Sequence, residues 1–393
     1  MLKTMFPRIE RESSALGFGC MRLPTTADGR IDEAKAVEMI RRGIDRGVRY
    51  VDTAYPYHGG ESERLVGKAL KDGYRDRVLL ATKLPCWAVN THEDMMRILD
   101  EQLEKLQVDH VDFYLLHALG KDRYHKMKEL DFMSFMEEAL RQGKIRYPAF
   151  SFHDDYAAFH EILHDYDWTM CQVQMNILDD ENQACVKGIQ EAGRLGVGVV
   201  VMEPLRGGKL VDVPADAREA FSASGRGWSP AEWGLRWLWD QPEVTCVLSG
   251  MNSLGMVEEN CRVAGEARVG ELGEADFATL ERAKEAINAS MRVGCTGCGY
   301  CMPCPRGVDI PALFRCYNHM YTEGKNAGRS EYWQTVSLRK ERAFARQCVG
   351  CGTCERHCPQ GIAIREQIHI ADRELRPLPW RIAGDVARAW AVR

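Results

Sequence analysis

Between "ALGFGCMRL" and "VTCVLSGM" the chain alternates short, nearly uninterrupted apolar runs with longer stretches in which apolar residues recur at three- and four-residue steps. The short runs are "ALGFGCMRL", "RYVDTAY", "RVLLATKL", "VDFYLLHA", "IRYPAFSF", "TMCQVQMN", "VGVVVMEPL" and "VTCVLSGM". The longer ones include "DEAKAVEMIRRGIDRG", "EDMMRILDEQLEKL", "DFMSFMEEALRQGK" and "SPAEWGLRWLWDQ", which read as amphipathic helices, several with acidic starts. A strand apolar on both faces is buried on both faces, the condition of a parallel sheet covered by helices. Eight such strand–helix units predict an α/β fold, a closed (β/α)8 barrel over residues 1–290, rather than an open doubly wound sheet.

In such barrels the chemistry sits at the C-terminal ends of the strands. The second run ends in Asp52 with Tyr57 five residues on, the third in Lys83 and the fourth in His117. A tyrosine hydroxyl can protonate a developing alkoxide when a nearby cation makes its proton easier to lose. Lys83 is the candidate cation, Asp52 the group that holds it charged and in place, and His117 the group that orients or polarises a carbonyl. A single residue of this kind is usually a structural polar group on the rim. Four at successive strand ends point to carbonyl reduction.

The stretches "VDTAYPYHGGESE", "ATKL", "YLLHA", "AFSFHD" and "LSGMNSLGMVEEN", in this order and spacing, resemble the aldo/keto reductase family over roughly the first 290 residues. The resemblance implies that Asp52, Tyr57, Lys83 and His117 are a catalytic tetrad and that NAD(P)H binds without a Rossmann domain. It further implies that Ser151 and Gln172 hold the nicotinamide carboxamide, and that Gly250, Ser253, Glu259 and Asn260 line the adenosine end. The chain departs from the family in three places. Phe152, followed by His153, replaces the usual asparagine, and Met202 stands where an aromatic ring often stacks on the nicotinamide. The loop "GMNSLGMVEEN" has no lysine or arginine for a 2′-phosphate, although Arg262 follows closely.

The end of the chain is of another kind. Of fifteen cysteines, eight fall in two short groups, "CTGCGYCMPCP" and "CVGCGTCERHCP", and the clustering favours metal in a reducing compartment over disulfides. Cys348, Cys351, Cys354 and Cys358 have the C-x2-C-x2-C-x3-C-P spacing of [4Fe–4S] proteins. In two-cluster proteins the fourth cysteine of each run ligates the other cluster. Cys358 is therefore expected to join Cys295, Cys298 and Cys301, and Cys304 to join Cys348, Cys351 and Cys354. The first group has x2 before its last cysteine, so Cys316 is an alternative to Cys304. Structural zinc held by four cysteines is the other reading, disfavoured because each group already ends in Cys-Pro. The linker "DIPALFRCYNHMYTEGKNAGRSEYWQTVSLRKERAFAR" reads as largely helical. Residues 291–375 are thus expected to form a small helical ferredoxin-like domain, similar to a branch of the aldo/keto reductases fused to such a module. The tail, 376–393, carries Arg376, Arg381, Arg388 and Arg393 with Trp380 and Trp390. It is read as a short helix folded back on its own domain, or a docking segment.

Composition narrows the rest. A formal charge of −5, with 52 basic and 57 acidic residues and no basic run, argues against nucleic acid. The absence of a long uncharged apolar stretch argues against a membrane span and for a cytoplasmic protein. The expected function is an iron–sulfur oxidoreductase that reduces a small carbonyl compound, or oxidises an alcohol, with clusters that carry electrons, serve a redox partner or are structural. Nicotinamide moves two electrons and a cluster one, and nothing in the sequence marks a flavin site between them. The alternative is a nucleotide-binding redox sensor or assembly protein without turnover. Trp87, Phe152 and Met202 suggest a partly apolar substrate pocket.

Overall fold

The computed structural model describes residues 1–181, 183–322, 324–337 and 343–381. Arg388, Trp390 and Arg393 of the expected tail lie outside them. The chain divides into two compact units: Met1–Pro204 with Glu232–Gly273, and Leu205–Ala231 with, among the described residues, everything from Glu274.

The first unit opens with a hairpin, β1 (Lys3–Phe6) and β2 (Arg11–Ser14), which the sequence did not announce because both strands are short and largely polar. The barrel strands follow as β3 (Leu16–Gly19), β4 (Tyr50–Asp52), β5 (Leu79–Leu84), β6 (Val111–Leu119), β7 (Ile145–Phe152), β8 (Met170–Gln174), β9 (Gly198–Met202) and β10 (Val244–Ser249). All pair in parallel and in chain order, and β10 closes on β3. The expected eight-stranded (β/α)8 barrel is therefore the observed fold.

The connecting helices form where the apolar stripe and the caps agree. Helix Glu33–Asp45 starts at Asp32, whose carboxylate accepts the Lys35 N–H at 3.3 Å, and turns Ala36, Met39, Ile40 and Ile44 inward. Ahead of helix His92–Leu106, the Asp94 carboxylate accepts the backbone N–H groups of Asn90 and Thr91 at 2.9 and 3.1 Å.

Inside the barrel the lower layers are apolar: Tyr50, Leu79, Phe113, Leu115, Ala149, Met170, Val200, Cys246 and Leu248. The hairpin inserts Phe6 into this core, its ring centroid 4.7 Å from that of Phe113 and 6.0 Å from that of Tyr50. Burying one such ring stabilises by about 1.5–3 kcal/mol. Gly198 leaves room for it, since a Cβ there would lie 2.5 Å from Phe6 Cδ1. Above these layers the inward positions turn polar, and the site begins there.

The second unit has its own core, including Leu313, Phe314, Phe344, Ile364, Ile368 and Leu375. Its helices Ile310–Thr322, Lys325–Tyr332 and Ile364–Leu375 match the largely helical linker and closing segment expected from the sequence. Helix Ala215–Ala223 precedes β10 in the chain yet belongs to this unit. It lies against helix Glu274–Ser290, and nearby Arg226 Nε reaches Asp276 Oδ1 at 2.8 Å. The start of the tail folds back: Arg376 is buried over the Phe344 ring at 4.2 Å, and the Trp380 ring meets Trp333 edge-on at 5.8 Å. Among the described residues no helix is long and apolar enough to cross a membrane.

Candidate functional site

Strand register brings the polar residues of five strands to one rim. Asp52 closes β4, Lys83 and Ser151 stand one residue before the ends of β5 and β7, His117 lies near the end of β6, and Gln172 in β8 pairs with Ser151. Lys83 Nζ donates to Asp52 Oδ1 at 2.6 Å and to the Thr53 carbonyl at 2.8 Å, with 1% of the lysine side chain exposed. Gln172 Nε2 reaches the other Asp52 oxygen at 3.5 Å. Burial pushes the Lys83 ammonium pKa down and the Asp52 carboxyl pKa up, and their attraction opposes both shifts. Tyr57 lies at the start of the short helical turn Tyr57–Gly60, its ring 5.1 Å from the Lys83 ammonium and edge-on to His117 at 6.1 Å. The four tetrad residues expected from the sequence are thus brought together.

His117 continues the inward face of Phe113 and Leu115, and beside it lies an irregularity that the sequence does not signal. The β6–β7 register shifts between Leu116 and Leu119, and Ala118 adopts φ +53°, a left-handed conformation costly for a residue with a side chain. Ala118 is held on both sides: its N–H donates to Ser151 Oγ at 2.7 Å, and its carbonyl accepts from Arg123 Nη1 at 2.6 Å. Trp87, 42% exposed, lies 5.0 Å from the His117 ring, and Met202, at the end of β9, packs against the core inside the barrel. Phe152 does not. One residue beyond inward-facing Ser151, it points the opposite way and meets Phe159 edge-on at 5.2 Å, which corrects its expected place in the pocket.

Two further polar groups were missed from sequence. Behind Lys83, the fully buried carboxylate of Glu63 accepts from Thr82 Oγ1 at 2.7 Å and Gln102 Nε2 at 2.6 Å, and Gln102 also donates to the Lys83 carbonyl at 3.0 Å. The available signal was Gln102 itself, a polar residue on the buried stripe of helix His92–Leu106. On the rim, Gln174 follows Gln172 on the same face and joins Asp179 and Gln183, with His153 Nδ1 3.2 Å from Gln183 Oε1.

Burial holds both histidines of this rim neutral. His117 lies well below the ordinary value of 6.5, from burial first and then the charge of Lys83, and His153 is lowered to about 4 by burial. The unfolded chain takes up these protons near pH 6.5 and the folded barrel does not. Stability present above pH 6.5 is therefore lost as the pH falls from there toward about 4. Thermal midpoints measured across that range should decline, and less steeply in His153→Gln.

Of the positions expected at the adenosine end, Ser253 caps helix Leu254–Glu266 by accepting the Met256 N–H at 3.3 Å, and Asn260 Nδ2 donates to Ser249 Oγ at 3.0 Å. Glu259 is exposed, and Gly250 lies against the Arg22 side chain. Arg262 is committed elsewhere, to Glu266 at 2.7 Å and Glu232 at 3.1 Å.

In the second unit two cavities collect the cysteines. One is lined by Cys295, Cys298, Cys301 and Cys358, the other by Cys304, Cys348, Cys351 and Cys354, and Cys301 lines both. Each set mixes the two sequence groups. The Cys301 thiol pKa is pushed up by burial and then by Cys295, Cys298 and Cys358 together. Backbone N–H groups of Gly297 and Gly350 point to Cys295 and Cys348 Sγ, each at 3.4 Å. Asn318 fixes the chain entering the first group: its Oδ1 accepts the Val293 N–H at 2.9 Å, and its Nδ2 donates to the Val293 carbonyl at 2.7 Å. Gly207, at φ +65°, lets a loop approach Thr296 so closely that a Cβ would lie 1.9 Å from its carbonyl oxygen. Cys316 is buried in the unit's core, 3.6 Å from Thr335 Oγ1, and lines neither cavity.

A parallel eight-stranded barrel with a polar layer on its C-terminal rim thus shares one chain with two cysteine-lined cavities. The Aldo/keto reductase family matches residues 15–285 and the 4Fe-4S dicluster domain matches residues 294–363. The chain belongs to the aldo/keto reductase family and carries a C-terminal 4Fe-4S dicluster domain. Aldo-keto reductase YhdN of Bacillus subtilis (strain 168) is 40% identical over 143 residues, 34% of this chain and 42% of that protein, so the match spans less than half the relative. Uncharacterized oxidoreductase YqkF of the same organism is 25% identical over 310 residues, covering 69% of this chain and 94% of that one. The holo form of aldo-keto reductase AKR11C1 from Bacillus halodurans superposes with a TM-score of 0.60 at 26% identity, covering 72% and 96% of the two chains. An aldo-keto reductase from Klebsiella pneumoniae in complex with NADPH gives 0.58 at 25% identity, covering 72% and 95%.

Proposed function

We propose that the barrel reduces a small carbonyl compound, or oxidises the corresponding alcohol, with NAD(P)H, and that the clusters exchange electrons with a separate carrier. One observation carries the first part: the buried Lys83–Asp52 pair at 2.6 Å lies beneath the Tyr57 ring, with His117 edge-on to that ring. The nucleotide, when bound, supplies the hydride. Tyr57 gives its proton to the oxygen that becomes the alcohol, and the Lys83 charge makes the phenol easier to deprotonate in a site of low dielectric. Asp52 keeps that charge in place. Neutral His117 orients the carbonyl by hydrogen bonding.

The carboxamide end fits the donors present. Gln172 Oε1 is buried without a hydrogen-bond partner among the described residues, a cost that a carboxamide NH2 relieves, and Ser151 adjoins it. Gly250, Ser253, Glu259 and Asn260 are assigned to the adenosine end. Arg262, engaged by two carboxylates, offers a 2′-phosphate no free cation.

The tetracysteine sets fit two [4Fe–4S] clusters. The second lies nearest solvent: Cys351 is exposed, and Val349 beside it is 62% exposed. An open edge of this kind supports exchange with a one-electron carrier rather than direct exchange with nicotinamide.

The test is anaerobic protein of known iron content, given NADH or NADPH and a panel of aldehydes and ketones, with cluster absorbance followed alongside nucleotide oxidation. Turnover with clusters that stay oxidised supports both parts. Cluster reduction by nucleotide alone overturns the separate-carrier part. Tight nucleotide binding without turnover on any substrate overturns the reductase part in favour of a redox sensor.

A further inference from the structure

We propose that His160, His164 and Glu191 form a binding site for a first-row divalent cation of the zinc class, joining two consecutive helices on the outside of the barrel. His160 and His164 are four residues apart on helix Tyr156–Asp165, so their rings share one face, with centroids 4.6 Å apart. Helix Cys185–Arg194 contributes Glu191. His160 Nδ1 is 2.7 Å and His164 Nε2 3.1 Å from the same oxygen, Glu191 Oε1, and all three ligand atoms lie within 4.8 Å of one another. Ligand atoms around tetrahedral zinc, each about 2.0–2.2 Å from the metal, stand about 3.3 Å apart. The three donors therefore need only a small adjustment to take a metal between them.

The donor set also selects the ion. Two imidazoles and one carboxylate suit zinc, nickel, copper or cobalt, whereas calcium and magnesium prefer oxygen alone. Glu191 is oriented from behind, because its other oxygen accepts the Tyr156 hydroxyl at 2.9 Å, the arrangement that fixes a ligating carboxylate. Without metal, one ring nitrogen of each histidine is within hydrogen-bond distance of the same carboxylate oxygen. A divalent cation takes the place of those contacts, each neutral imidazole then carrying its one N–H on the ring nitrogen turned away from the metal, and the half-exposed rings leave an open side for water as a fourth ligand. The helices it joins follow β7 and β8, the strands that carry Ser151 and Gln172. The expected role is to hold those two strand–helix units together, independently of the reaction proposed above.

The test is a calorimetric titration of the full-length, cluster-loaded protein with Zn2+ under anaerobic conditions, with cluster absorbance monitored throughout. Wild type is expected to bind one more Zn2+ than His160→Gln/His164→Gln, with that site weakened at least 100-fold in the variant. Zn2+ should raise the thermal midpoint of wild type only. Both histidines are half-exposed, so the variant should fold with full iron content. Glu191→Gln should weaken the same site about 10-fold or more while the histidines remain. Equal stoichiometry and affinity in wild type and the double variant would mean that the cysteines or other side chains take the metal, and would overturn the proposal.

Discussion

Tyr57→Phe should lower carbonyl turnover by about 10²–10⁴-fold, the usual worth of a positioned general acid. Both kcat and kcat/KM should fall together while nucleotide affinity stays at the wild-type value, because the lost hydroxyl acts in the transition state and not in cofactor binding. The geometry makes this the cleanest probe of the rim. The Tyr57 ring is half-buried 5.1 Å from the Lys83 ammonium, and removing one oxygen leaves the Lys83–Asp52 pair and the His117 contact in place. Lys83→Met should be at least as damaging to turnover, but for a mixed reason. It strands the Asp52 carboxylate in a buried site, and breaking such a pair commonly destabilises by about 3–5 kcal/mol. Folding must then be followed beside activity. A Tyr57→Phe protein with normal iron content and undiminished turnover would remove Tyr57 from the acid role and leave the rim without a proton donor of the right kind.

What was legible in the sequence follows from which physical terms are local. The barrel was readable because a strand covered on both faces must be apolar at nearly every position, and the runs ending at Asp52, Lys83 and His117 say so by themselves. Rim polarity was readable for the same reason, since a charged residue at the end of an apolar run is conspicuous. Features set by tertiary contact were not. Phe6 seals the barrel floor from a hairpin whose own pattern is weak, and its position depends on the space at Gly198, far along the chain. The register shift beside His117 leaves no mark in a run of apolar letters, because Ala118 in a left-handed conformation reads like any alanine. Phe152 stays out of the pocket because the pleat that faces Ser151 inward sends the next residue of β7 outward to Phe159. The grouping of Leu205–Ala231 with the second unit rests on helix packing and the Arg226–Asp276 pair, neither of which has a sequence signature.

Cys358→Ala should remove the cluster of the other sequence group. Cys358 lies four residues after Cys354, and a reading by proximity alone would give both to one cluster. In the fold it lines a cavity with Cys295, Cys298 and Cys301, while Cys304 lines the one formed by Cys348, Cys351 and Cys354. Gly350 and Gly352, both at positive φ, shape the tight loop that carries Cys348 and Cys351, and the short helix Thr353–Arg356, which holds Cys354, lies between that loop and Cys358. Iron should drop from about eight atoms per chain to about four in Cys358→Ala, and the paramagnetic resonance signal missing from the reduced variant should be the one missing in reduced Cys295→Ala. Cys304→Ala should instead lose the signal missing in Cys348→Ala. Cys316→Ala should keep all its iron, since that sulfur lies in the apolar core beside Thr335. If Cys358→Ala matches Cys348→Ala instead, each group binds its own cluster, and the mixed cavities are not the ligand sets. The crossed arrangement also predicts coupled assembly: neither cluster has its full set of thiolates until both groups have folded together, so apoprotein should take up iron cooperatively rather than in two independent steps.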